Sequence, residues 1–328
     1  MTAGPLRALV GLDATIANAG DPIELACLRA ERATLMARMG SFERATAELE
    51  AVRREHERMQ SSPALAAWLC LAEGITAMYR DQGLAARDRV RRAHALSTAA
   101  RVRPLTALTA AWMAHMAYIY NDYAGIARHL VEALTEAPPD HHAARSRASL
   151  TAAQSYHWAG RIDFAQPWYR RAHEHALAEG DTTTIAHLLS SRAWLSGMHA
   201  CTRPIFDGEP ACPDALSQAL MAADSSGHFD DHLGRASLRS MARITRARLL
   251  LAQGHWADAL AQFESGLPLA MSDGMDYVKL MLHAEMAWCR FKLGRSEEAL
   301  QEARRAEASL IPDCEGEDRA STHGRLAQ

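Results

Sequence analysis

The chain has 328 residues, 48 % of them apolar but only 6 % aromatic, with Ala the commonest apolar type. This composition suits helices packed through small faces and argues against a sandwich of β-branched strands. A formal net charge of −3 gives no global reason to expect nucleic acid or an anionic membrane as partner. Six scattered cysteines without a CxxC make no disulfide framework. No run approaches the ~18 apolar residues of a membrane span, so the expectation is a soluble, cytoplasmic protein.

In chain order, residues 1–22 read as an N-terminal capping helix closed by Gly20-Asp21-Pro22. From Ile23 to Pro312 helices alternate in pairs. Each second helix follows a turn and carries a small, a large and again a small residue on one face. Trp256 follows the turn at Gly254, and Ala259, Phe263 and Gly266 share a face. The pattern returns after Gly40 (Ala45, Leu49, Val52), Leu84 (Ala86, Val90, Ala93), Tyr123 (Ile126, Leu130, Ala133), Gly160 (Ala165, Tyr169, Ala172) and Gly294 (Ala299, Ala303, Ala306). With Ala215 standing for the fifth pair, the markers recur about every 40 residues. Units of this kind bury their apolar faces only against neighbours, which predicts an all-α, right-handed α-α superhelix of about seven pairs.

The fifth pair breaks the period. Cys201 to Pro213 holds three prolines and a glycine, so an irregular insertion is expected at 200–213, either a functional loop or a tolerated one. His199, Cys201, Cys212, His228 and His232 are the candidate zinc ligands there, at a spacing that matches no familiar zinc module. His141-His142 and His173-Glu174-His175 are adjacent residues that point different ways around a helix, which makes them poor metal pairs. Residues 313–328 read as a tail or a capping helix: a lid over the last repeat, or an edge for self-association. Lys occurs only at Lys279 and Lys292 and there is no GxxxxGK[ST], which excludes that phosphate-binding loop. GxSxG and HExxH are absent too, so the reading is non-enzymatic and implies no cofactor.

The order Ala114, Tyr118, Asn121-Asp122-Tyr123, Ile126, Leu130, Ala133, Pro138 resembles a tetratricopeptide repeat. So do Ala153, Tyr156, Gly160, Ala165, Tyr169, Ala172 and Ala287, Gly294, Ala299, Ala306, Pro312. The longer period is similar to that of helical sensor domains of bacterial regulators and of peptide-responsive regulators of quorum signalling. The resemblance implies a concave groove lined by first helices, and carrying the register across nominates its residues. They are Trp68 and Tyr79, then His115 and Tyr118, then Arg147, His157 and Trp158, and finally Trp194, Arg248 and Trp288. Tryptophan and arginine dominate binding energy at interfaces. The expected function is a scaffold that binds a segment of a protein or peptide partner. The alternatives are a regulatory sensor of a peptide or small molecule that signals through a partner, and an enzyme or metal-binding protein built on the fifth repeat.

Overall fold

The computed structural model describes residues 5–57, 62–81, 84–210, 212–233, 239–272, 275–309 and 316–328. Among the described residues there are sixteen α-helices and no strand, and the architecture is an all-α superhelix. Helix α1 (Pro5–Asn18) precedes seven pairs. These are α2 (Pro22–Arg38) with α3 (Phe42–His56), α4 (Pro63–Asp81) with α5 (Leu84–Ala99), and α6 (Arg103–Ile119) with α7 (Tyr123–Glu136). They continue with α8 (His142–Trp158) and α9 (Ile162–Glu179), α10 (Thr182–Phe206) and α11 (Pro213–Leu233), α12 (Arg239–Ala252) and α13 (Trp256–Ser272), and α14 (Lys279–Lys292) and α15 (Ser296–Ala308). Helix α16 (Gly316–Ala327) follows.

Local chemistry accounts for the punctuation. Asp21 caps α2 by accepting from the Glu24 N–H at 2.8 Å, with Pro22 as the first helical residue. Inside five pairs the turn is closed by one bond type. The N–H of Ser41, Asp122, Arg161, His255 and Arg295 reaches the carbonyl five residues back, at 2.8–2.9 Å. This is the 6→1 bond of a Schellman ending, which requires a left-handed residue just before the donor. Gly40, Gly160, Gly254 and Gly294 supply it at φ +72 to +82°, and Asn121 does so at φ 55°. In the third pair Gly125 has a separate necessity: a Cβ there would stand 2.4 Å from Asp122 Oδ2, the carboxylate that caps α7.

The chain divides into two compact units, residues 1–188 and 189–328. In unit 1, Ala26, Ala30, Ala33 and Ala37 of α2 are buried against Ala45, Leu49 and Val52 of α3 and Leu65, Leu69 and Ala72 of α4. Side chains this small let helix axes approach to the short end of the usual ~8–10 Å. In unit 2, Ala259 and Phe263 of α13 pack with Ile244, Ala247 and Leu251 of α12.

Three expectations need correction. Helix α10 runs through Pro204 to Phe206, so only 207–212 interrupt the fifth pair instead of 200–213. Proline here removes one intrahelical N–H bond close to the helix end, and the helix stops two residues later. The fifth marker is off by one residue: Ala215 is exposed, and Leu216, Ala219 and Ala223 form the buried face. In the last pair Ala303 is only half-buried, and Glu302 instead is buried beside Ala299 and Ala306, held by His283 Nδ1 at 2.5 Å and by Arg290.

Candidate functional site

Helices α2, α4, α6 and α8 of unit 1, with the start of α10, direct side chains to one interior. Arg38 near the end of α2 donates to Asp181 Oδ2 at 2.8 Å and to Thr184 Oγ1 at 2.6 Å, across 146 residues of sequence. Asp181 precedes α10 and accepts from the Thr184 N–H at 2.9 Å and its hydroxyl at 2.7 Å, so one carboxylate both starts a helix and clasps α2. Trp112 of α6 lies in the middle. The Arg147 guanidinium of α8 sits 4.0 Å from its ring centroid, that of Arg38 6.0 Å, and the Tyr79 ring of α4 meets it edge-on at 6.5 Å. His115 packs edge-on against Trp112 and His187 and stacks on Tyr118.

The two arginines differ electrically although both are buried. Burial works against the charge of each. At Arg38 the Asp181 carboxylate overcomes it and raises the pKa above the ordinary value. At Arg147 burial prevails, helped by repulsion from Arg38, and the pKa is lowered. Its neighbours are the Tyr79 hydroxyl and, at 3.4 Å, His187 Nδ1, and its Nη2 is buried without a hydrogen-bond partner. His115 is held well below its ordinary value by burial and by Arg147 and Arg38, so it is neutral at pH 7. On α2 and facing Glu179, Glu31 is pushed up to about 7, by burial first and then by that second carboxylate.

Tyr79, His115 and Arg147, nominated from sequence, therefore meet, with half-buried Tyr118 beside them. Trp68 is wedged between the cores around α2–α4 and α4–α6. His157 turns to α9, where its Nδ1 lies 3.0 Å from the Tyr169 hydroxyl, and Trp158 is half-buried at the end of α8. Sequence reasoning missed Arg38, Trp112 and Asp181. Two signals were present: an arginine interrupting the small face Ala30, Ala33, Thr34, Ala37, and an Asp three residues before Thr184 at a helix start.

Unit 2 assembles the remaining nominees. Buried Arg248 lies over Trp194 at 5.6 Å. Trp288 stacks on Phe291 and carries Arg325 of α16 over its ring at 5.3 Å. Of the zinc candidates, Cys201 donates its Sγ–H to the Arg248 carbonyl at 3.4 Å, and burial pushes its thiol up to about 11, which disfavours the thiolate that zinc needs. Cys212 is exposed and His199 half-buried. The side chains of His228 and His232 lie outside the described residues. One member of each histidine run does find the other, since His142 Nδ1 and His175 Nδ1 stand 3.0 Å apart between α8 and α9. Among the described residues no helix is long and apolar enough to cross a membrane.

No family model matches the chain, and no curated protein matches it. Among solved structures, the crystal structure of a Rap protein complexed with competence and sporulation factor is similar to it. The TM-score is 0.63 at 12 % identity, over 92 % of this chain and 78 % of that chain. At that identity the likeness establishes the fold.

Proposed function

We propose that this chain is a non-enzymatic, ligand-responsive regulator that takes a short protein or peptide segment bearing a carboxylate against the interior of unit 1. One observation carries the reading: Arg147 is buried with its Nη2 unbonded and with no carboxylate in ion-pair contact, since Asp181, which acts on it only at longer range, is bonded to Arg38. A buried charge without its counter-ion costs several kcal/mol, and an incoming carboxylate removes that cost in bidentate geometry. Trp112, Tyr79 and Tyr118 supply flat walls around it. The similar fold of a Rap protein in complex with competence and sporulation factor supports placing a ligand on such an array.

A responsive protein fits better than a rigid scaffold with an open groove. Within unit 1 Arg38 and Asp181 clasp the end of α2 to the start of α10, and a ligand that reaches Arg147 must favour the opened clasp over the closed one. That difference in affinity is what a signal to a partner needs. The test incubates the purified chain with random-sequence short peptides carrying a free carboxyl end, and with the same pool amidated, and identifies what is retained by mass spectrometry. Retention of carboxylate-bearing peptides is expected, with at least tenfold weaker binding to a folded Arg147→Met variant, about 1.4 kcal/mol. Equal retention by wild type and variant, or no preference for the carboxylate, defeats the reading.

A further inference from the structure

The second helices of unit 1 carry a separate cluster. His94 of α5 and His129 and Glu132 of α7 bring one ligating atom each within 4.8 Å of one another. His94 Nε2 lies 3.1 Å from Glu132 Oε1, and His129 Nδ1 lies 3.4 Å from Glu132 Oε2. Ligands bound at about 2.0–2.2 Å in a tetrahedron stand about 3.3 Å from each other, so each separation, measured to a different oxygen of the one carboxylate, is of the size of an edge of a zinc coordination sphere. Two imidazoles and one carboxylate favour zinc over calcium or magnesium, which take oxygen donors.

The surroundings orient these atoms. His94 Nδ1 is 3.1 Å from Thr109 Oγ1, whose own hydroxyl donates back to the Leu105 carbonyl at 2.9 Å. Thr109 then accepts from the ring N–H, and in the neutral ring the Nε2 lone pair faces the Glu132 carboxylate. Two acceptors held face to face need either a proton or a metal ion between them. An outer-shell hydroxyl that fixes the tautomer of a ligating histidine is the usual support of a zinc ligand. Glu132 keeps 31 % exposure and gives an ion a way in from solvent.

We propose that His94, His129 and Glu132 form a zinc site on α5 and α7, with water completing the tetrahedron. The exposed guanidinium of Arg128 stands over this position, its Nη2 3.3 Å from His129 Nε2. It holds that nitrogen as an acceptor and so keeps a proton on Nδ1. Zinc must displace Arg128 to use Nδ1, so Arg128 weakens the site without being part of it.

The test strips the full chain with a chelator and titrates zinc against a chromophoric competitor, with Glu132→Gln, His94→Ala and Arg128→Ala alongside. The chain has 16 histidines that can bind zinc weakly, so the readout is the difference between wild type and variant. Wild type should bind one equivalent at least 100-fold more tightly than anything left in Glu132→Gln. Zinc should raise the melting temperature of wild type and not of that variant, and Arg128→Ala should bind more tightly than wild type. Identical isotherms for wild type and Glu132→Gln overturn the proposal and assign the cluster to a proton-held His94–Glu132 pair. A wild type with no saturable equivalent overturns it as well. If His94→Ala does not fold, Glu132→Gln, which preserves side-chain size, carries the comparison alone.

Discussion

Arg38 and Arg147 bring the same charge into one interior and differ only in what faces them, and the difference runs through Asp181. Its carboxylate is buried, which taken alone would raise its pKa. The Arg38 charge and the Thr184 N–H and hydroxyl outweigh that and hold it below the ordinary value of 3.8. A group whose folded pKa is depressed contributes stability that is fully present above its unfolded pKa, about 3.9, and is lost as pH falls through the folded value. Asp181→Asn keeps the helix cap but leaves Arg38 buried without a counter-charge, at a cost of about 3–5 kcal/mol near pH 7. Urea unfolding should show that deficit in full at pH 7 and a deficit that shrinks progressively as pH falls below about 3.9 towards the depressed folded value. A deficit that does not change with pH would mean the cap and not the ion pair supports this corner.

The helix pair is the element on which the rest depends, and it is also what the sequence declares most clearly. Periodic alanines and a glycine or asparagine at the turn mark it because both requirements are local, small volume on a packed face and positive φ at one residue. Ala259 is such a position, fully buried against α12, whereas Glu264 one turn further on lies on the other face with an exposed link to Arg290 at 2.9 Å. Ala259→Glu should cost about 4 kcal/mol through overpacking and a stranded carboxylate. Glu264→Ala should cost less than about 1 kcal/mol. Equal urea midpoints would refute the assignment of faces. The pattern misleads where a rule of local propensity meets a tolerant context. The stretch from Cys201 reads as irregular but α10 carries on through Pro204 to Phe206, and Ala303 reads as part of the packed face of the last pair but Glu302 takes the buried place beside Ala299 and Ala306.

At the scale of the whole molecule the candidate sites were legible only in part, because closure is non-local. Period and residue type picked out Tyr79, His115, Arg147 and Trp288, but nothing in a 40-residue repeat says that α2 will reach the start of α10, or that the final helix will reach an earlier one. Unit 2 shows the second case within itself. Helix α16 sets Arg325 against Glu285 of α14 at 3.0 Å, both 5 % exposed, and against the Cys201 carbonyl of α10 at 3.1 Å. Gly324 makes the approach possible, since a Cβ there would stand 2.4 Å from Ile205 Cγ2. Arg325 also covers Trp288, so this helix occupies the aromatic face that the repeat pattern leaves open. A buried pair of this kind contributes little against an apolar substitute, yet losing one partner strands the other. Arg325→Ala should therefore destabilise unit 2 by about 3–5 kcal/mol, seen as faster amide exchange in α14 and α16. Arg325→Lys should rescue little, because a point charge cannot bond the carboxylate and the carbonyl together as the planar fork does. Arg325→Met combined with Glu285→Leu should recover most of the loss. If the double variant is as unstable as Arg325→Ala, the α16 dock depends on packing at Gly324 and Trp288 and not on the ion pair.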